Sequence, residues 1–294
     1  MASPRLIKKR LKSVKNIYKI SKALEMVAAS KVQKAQDKAV SSKPFSEKIY
    51  DLIQTFAKVS DPKTIPLLKI PEKKNCDLFV LVTTNRGLCG SLNTNLFKAL
   101  AKHIEKSNFS QHSFISVGKK GRSMAITYGK LLADYSDYKP FESAITVVIK
   151  NITDSFLAGE VDEVNLVYND FVSALVQEPK IKKILPIRQV ELLQGEEQEK
   201  LIKKENINYN FEPSPEDVLQ SLLPFYLEVQ LREVFQEAEA SEHSARMVAM
   251  KNASDNADQL SYALNLEFNK QRQQEITGEL ADIVTAGVSL ENHE

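Results

Sequence analysis

With 294 residues and a net charge of only +2, the chain is long enough for one or two domains, and its 43% hydrophobic content can fill a core. No apolar run approaches the ~20 residues that cross a bilayer, and no secretory apolar stretch stands at the N-terminus. The two cysteines, Cys76 and Cys89, form no CxxC pair, which leaves reduced thiols rather than a disulfide framework.

The first element is a helix. Ile7, Leu11 and Val14, then Ile17, Ile20, Leu24 and Val27, then Ala28, Val32, Ala35 and Ala39 keep three-four spacings. Ser3 is a suitable N-cap, and Pro4 occupies a first-turn position where its missing N–H costs nothing. Pro44 breaks or kinks the pattern. Phe45 to Ser60 reads as a further helix, ended by Asp61-Pro62.

Charge is concentrated here. Arg5, Lys8, Lys9, Arg10, Lys12, Lys15, Lys19, Lys22, Lys31, Lys34 and Lys38 face only Glu25 and Asp37. Two readings stand: a solvated helix face, or a surface that meets acidic protein or nucleic acid. Tyr18 is the one aromatic among these residues, which argues against base stacking. A basic, acid-poor start also suits a mitochondrial transit peptide, but the heptad pattern begins at once, so the segment reads as mature structure.

The middle alternates strands and helices. Cys76 to Thr84 is a short apolar run of β-formers and reads as a buried strand. The turn Asn85-Arg86-Gly87-Leu88-Cys89-Gly90 follows, then a helix from Leu92 to Lys106. Ser113 to Val117 is a second strand, and Gly118-Lys119-Lys120-Gly121 opens a short helix to Tyr128. Leu131 to Tyr135 is a weaker strand, Phe141 to Ala158 a helix, and Glu163 to Tyr168 a strand. Ile181 to Val190 completes the set, at an edge because Pro186 has no N–H for a ladder. This alternation predicts an α/β body with parallel pairing. Gln194 to Pro215 is polar and proline-marked, hence a linker or lid.

From Phe225 to the end there is no proline, and only Gly278 and Gly287 interrupt what reads as one helix of ~100 Å. Its seam begins Leu227, Leu231, Val234, Ala238, Ser241, Ala245, Val248. It steps to Met250, Ala253, Ala257, Leu260 and Leu264 and returns as Ile276, Leu280, Ile283 and Gly287. Many of these residues are small, so a partner helix can approach closely. The expected division is a coiled-coil helix over 1–60, an α/β domain over 74–192, a linker over 193–215 and a second coiled-coil helix over 216–294. The two helical ends are expected to pair antiparallel.

Catalytic signatures are missing. Gly87 to Asn93 is not GxxxxGK[ST], and GxGxxG and GxSxG occur nowhere, so the first turn reads as a tight strand-to-helix connection. His103, His112, His243 and His293 lack metal-ligand spacing. No cofactor or metal is expected, and an enzyme working alone is not.

Three segments carry a resemblance: Ile7 to Gln36 (IKKRLKSVKNIYKISKALEMVAASKVQKAQ), Thr83 to Asn93 (TTNRGLCGSLN), and Glu242 to Leu290, which includes EHSARMVAMKNASDNADQL and LNLEFNKQRQQEITGELADIVTAGVSL. Together they resemble the gamma subunits of F-type ATP synthases from end to end. The resemblance implies a long antiparallel coiled coil of both termini with a central α/β, Rossmann-like domain. It also implies a central rotor whose coiled coil enters a hexamer of alpha and beta subunits. The α/β body would rest on the membrane c-ring with the epsilon subunit. Ion flow would drive conformational cycling of beta and ATP synthesis, with catalysis on the other subunits. Arg272, Gln273, Thr277, Glu279, Arg246 and Leu24 match family positions that contact beta.

The order Ala286-Gly287 departs from the family's usual Gly-Ala, and Leu24 stands where the family often has Met. The cysteine-bearing insertion of the chloroplast type is absent. With the resemblance starting at the N-terminus, a bacterial protein is expected, peripheral on the cytoplasmic side of the plasma membrane. A nucleic-acid-binding coiled coil, with salt-dependent DNA affinity, and a generic scaffold are the alternatives.

Overall fold

The computed structural model describes residues 4–57, 65–71, 75–107, 109–138, 140–187 and 214–291. The chain divides into two units, one of Met1–Ala29 with Arg246–Glu294 and one of Ser30–Ala245. Two helices contribute to both: α1 (Pro4–Ala57) and α5 (Pro215–Glu291).

The larger unit holds a five-stranded sheet of β1 (Cys76–Val82), β2 (Gln111–Val117), β3 (Lys130–Asp134), β4 (Glu163–Phe171) and β5 (Gln177–Leu185). Its order is β3-β2-β1-β4-β5. β1 is central, and all seven of its residues are buried, Asp77 among them; the unbroken apolar run Leu78–Val82 is what a strand covered on both faces carries. Leu78, Val80 and Val82 point to one face. There they pack with Ile145, Val148, Ile152 and Phe156 of α4 (Ile145–Leu157), with α5 from Leu219 to Phe235, and with Ile53 of α1. Phe79 and Leu81 point to the other face, under Leu96 and Leu100 of α2 (Leu92–Glu105) and Ala125 of α3 (Arg122–Tyr128).

Four strands run parallel, as the alternation predicts, but β5 runs antiparallel to β4. The expectation of parallel pairing throughout fails there for a simple reason. Only residues 172–176 join Phe171 to Gln177, and a parallel crossover needs a dozen residues or more. β5 begins before Ile181 and ends at Leu185, ahead of Pro186. The expected linker at 193–215 lies outside the described residues up to 213. Ser214 then caps α5: its hydroxyl accepts the Asp217 N–H at 3.1 Å and donates to the Asp217 carboxylate at 2.7 Å, with Pro215 next to it.

Pro44 does not break the N-terminal helix, which continues to Ala57, and the separate helix expected from Phe45 is its continuation. A proline inside a helix costs one backbone bond and roughly 3 kcal/mol. Contacts on both sides offset that here. The Ser42 hydroxyl donates to Gln236 at 3.0 Å, the Tyr50 hydroxyl donates to Glu233 at 2.7 Å, and Ile53 is buried in the core. These partners on α5 also fix the pairing as antiparallel, because position rises on one helix as it falls on the other.

In the smaller unit, Pro4–Ala29 pairs antiparallel with the α5 segment from Arg246. The Ser254 hydroxyl donates to Glu25 at 3.4 Å, and Leu260 and Leu264 face Leu6, Lys9, Arg10, Ser13 and Val14 across a groove of about 460 Å³. The seam differs from the expected one. Ile7, Ser21 and Ala28 are buried, whereas Ile17, Ile20 and Val27 are 53%, 61% and 55% exposed. On α5, Met250, Ser254 and Ala257 are buried and Ser261, Leu264, Phe268 and Gln271 half-buried, a strict four-three alternation. Leu260 lies on the flank at 51% exposure. Two apolar stripes share the first helix, and the stripe with small residues wins because it lets the backbones come closer.

Candidate coupling surface

The residues expected at the functional surface fall into two groups. Leu24 and Arg246 lie half-buried in the paired part of the smaller unit. Arg272, Gln273, Thr277 and Glu279 lie exposed on α5, with Arg272 ~27 Å along the helix from Ser254. The structure does not bring the six together into one cluster.

Every α5 residue from Arg272 to Ala286 is exposed. Register explains this. Counting from the Ser254–Glu25 bond, α1 reaches its first residue, Pro4, where α5 has reached about Glu275. Little of α1 remains to cover the rest. Ile276, Leu280 and Ile283, expected as seam, are therefore 44%, 58% and 67% exposed. With Val284, 64% exposed, they form one apolar stripe at i, i+4, i+7 and i+8. Gly287, the last expected seam residue, has no described side-chain environment. The stripe was legible as apolar periodicity. That it stands exposed among the described residues follows only from the register of the two helices.

Polar groups on this end are held by their own helix. The Thr277 hydroxyl donates to the Gln273 carbonyl at 2.8 Å, and the Thr285 hydroxyl donates to the Ala281 carbonyl at 2.8 Å. Arg272 and Glu279 project into solvent. An apolar stripe beside polar side chains is the composition of an interaction surface rather than of a solvated helix.

The outer side of α1 in the same unit is of similar kind. Lys8, Lys12, Lys15 and Lys19 are exposed, and they interleave with the exposed Ile17, Ile20, Met26 and Val27. Sequence periodicity assigned three of these aliphatics to the seam and so missed them as surface. Lys22 is tied locally to Glu25 at 3.0 Å, and that hydrogen bond raises its pKa above the ordinary lysine value.

The glycine-rich turn after β1 is occupied with itself. The Thr84 hydroxyl donates to the Arg86 carbonyl at 2.8 Å, and the Asn93 amide donates to the Thr84 hydroxyl at 2.8 Å. Leu88 takes a left-handed conformation at φ 64° to close it. At the start of the strands, Oδ1 of buried Asp77 is hydrogen-bonded to Nδ1 of His112 at 2.6 Å, a pair that sequence spacing does not reveal. Among the described residues, no group of His, Cys, Asp and Glu is placed to hold a metal ion, and no helix is long and apolar enough to cross a membrane.

Solved structures with the same fold include the rotor of the Euglena gracilis mitochondrial ATP synthase, at a TM-score of 0.61 and 23% identity, covering 93% of this chain and 98% of that one. The F1 and c-ring assembly of the same enzyme includes a chain at a TM-score of 0.65 and 21% identity, covering 98% of this chain and 94% of that one. The family model described as ATP synthase matches residues 3–290. The ATP synthase gamma chain of Methylacidiphilum infernorum is 38% identical, over 99% of this chain and all of that protein. That of Herpetosiphon aurantiacus is 38% identical over 99% of both. A match of this extent at both levels places the chain in the ATP synthase gamma chain family.

Proposed function

We propose that this chain is the central rotor of an F-type ATP synthase, a subunit without catalytic chemistry of its own. The paired helices enter a hexamer of alpha and beta subunits. The α/β body sits on the membrane c-ring with the epsilon subunit, peripheral to a bacterial plasma membrane on its cytoplasmic side. Ion flow turns the shaft, and the beta subunits change state in sequence; run backwards, ATP hydrolysis pumps ions. The observation that carries this reading is the α5 end from Arg272 to Ala286, exposed throughout and apolar along one stripe. A monomer gains nothing from such a surface, whereas a bearing inside a hexamer buries it.

Coupling requires differential contact. A rotor shifts a beta subunit's equilibrium only if it interacts differently with the two states of that subunit. Arg272, Gln273, Thr277 and Glu279 supply polar contacts at the tip, and Leu24 and Arg246 supply contacts lower on the shaft. The exposed lysines of α1 meet acidic groups of beta, each pair contributing roughly 0–1 kcal/mol. Many weak contacts suit a part that must release at every step.

The test replaces Arg272 and Gln273 together by alanine. Exposed residues change stability by about 0.5 kcal/mol or less, so folding and assembly stay intact. Loss of charge-assisted bonds worth ~1.5–3 kcal/mol lowers synthesis and pumping several-fold or more. Wild-type synthesis and pumping in membrane vesicles, at matched assembly, would remove these residues from the mechanism.

A further inference from the structure

The larger unit contains a four-residue polar loop, of which the Ser42–Gln236 bond described above is one side. Lys38 of α1 donates to Oε2 of Glu142 at 2.5 Å, and the Gln236 amide of α5 donates to Oε1 of the same carboxylate at 3.4 Å. Gln236 accepts in turn from the Ser42 hydroxyl of α1 at 3.0 Å. Glu142 thus holds one helix with each oxygen. It belongs to the short 3-10 turn Phe141–Ala144, which is itself fixed. Ala144 is fully buried, the Phe141 ring meets Phe235 at 6.3 Å, and the Ser143 hydroxyl donates to the Pro140 carbonyl at 2.7 Å.

We propose that Glu142 is a positioning residue for torque transmission, the point at which the α/β body grips both helices. This rests on the rotor reading above. Apolar burial holds surfaces together but is non-directional, so it resists sliding weakly, whereas hydrogen bonds resist displacement along a set direction. α5 is anchored to the sheet along the stretch from Leu219 to Phe235. α1 enters the same core at Ile53, with Ile49 and Phe56 beside it. Ser46, Ala35 and Val32 farther along α1 are buried too, so α1 is packed on both sides of Lys38 and what remains to be resisted is displacement along the packed face. Lys38 lies ~22 Å along α1 from Ile53, and a directional bond to the body at that distance opposes such displacement. The bonds at Glu142 are partly solvated and add little to global stability. Their effect is geometric.

The experiment has two readouts. Spin labels on exposed positions, Lys34→Cys on α1 and Lys150→Cys on α4, report the spread of distances between helix and body in the isolated chain; native Cys76 and Cys89 are buried. Glu142→Ala is expected to broaden that distribution, and the charge swap Lys38→Glu with Glu142→Lys to restore it, because the Gln236 amide can donate or accept. In vesicles, Glu142→Ala is expected to keep wild-type ATP hydrolysis without a gradient and to lose ion pumping against one, with recovery in the swap. An unchanged distance distribution overturns the proposal, and so does a broadened one with full pumping under load. Failure of the rotor reading is separate: the wild-type chain would then not restore pumping to complexes lacking it.

Discussion

Two isoleucines on one helix offer a direct test of which stripe forms the seam. Ile7 is 1% exposed and Ile20 is 61% exposed, although both fit a three-four pattern. Ile7→Ala deletes buried aliphatic carbons and leaves a cavity, a change that costs ~2–5 kcal/mol in a core. Ile7 lies near the start of α1, where local opening relieves part of the loss, so about 2 kcal/mol is expected. Ile20→Ala removes little buried area and improves helix propensity, so the expected change is within ~0.5 kcal/mol. With two units present, a single unfolding midpoint is a poor measure. Native-state hydrogen exchange on the first five turns of α1 is the better one. A loss of about 2 kcal/mol accelerates exchange roughly thirtyfold, against about twofold for Ile20→Ala. Equal acceleration in the two variants would put Ile20 in the seam and refute the pairing register argued from Ser254 and Glu25.

Asp77 titrates against the fold. Burial raises its pKa above the ordinary carboxylate value, and the His112 hydrogen bond only partly opposes this. The folded state therefore holds its proton to higher pH than the unfolded chain, and stability falls as pH rises from the unfolded value through the raised one. Asp77→Asn is expected to abolish that fall, so its melting temperature gains on wild type as pH rises above the ordinary carboxylate value; parallel pH profiles would refute it. Among the glycines, Gly118→Ala places a methyl 2.0 Å from the Thr83 carbonyl oxygen at a φ of +107°, and the variant is expected to be recovered mostly insoluble. Gly87→Ala meets nothing within 4 Å and is expected to melt within a few degrees of wild type. A soluble Gly118→Ala with unchanged melting would show that the β2–α3 turn can move away from β1.

The local chemistry of this chain is legible from its residues. CDLFVLV reads as a strand buried on both faces because apolar residues fill every successive position from Leu78 to Val82, and that is where β1 lies. Helix periodicity at both ends announces a coiled coil because a 3.5-residue repeat needs a partner. Tertiary structure decided what periodicity leaves degenerate. Ile17 and Ile20 satisfy the same spacing rule as Ile7, and only the approach of α5, close where Ser21 and Ser254 are small, selects which stripe is covered. Pro44 looked like a stop, since propensity is summed locally, yet distant partners at Gln236 and Glu233 carry the helix through it. The short loop before β5 contained its antiparallel direction, but the Asp77–His112 pair and the Lys38–Glu142–Gln236 grip join residues far apart in sequence. No spacing rule reaches those contacts, because they exist only once the sheet and helices have set the distances.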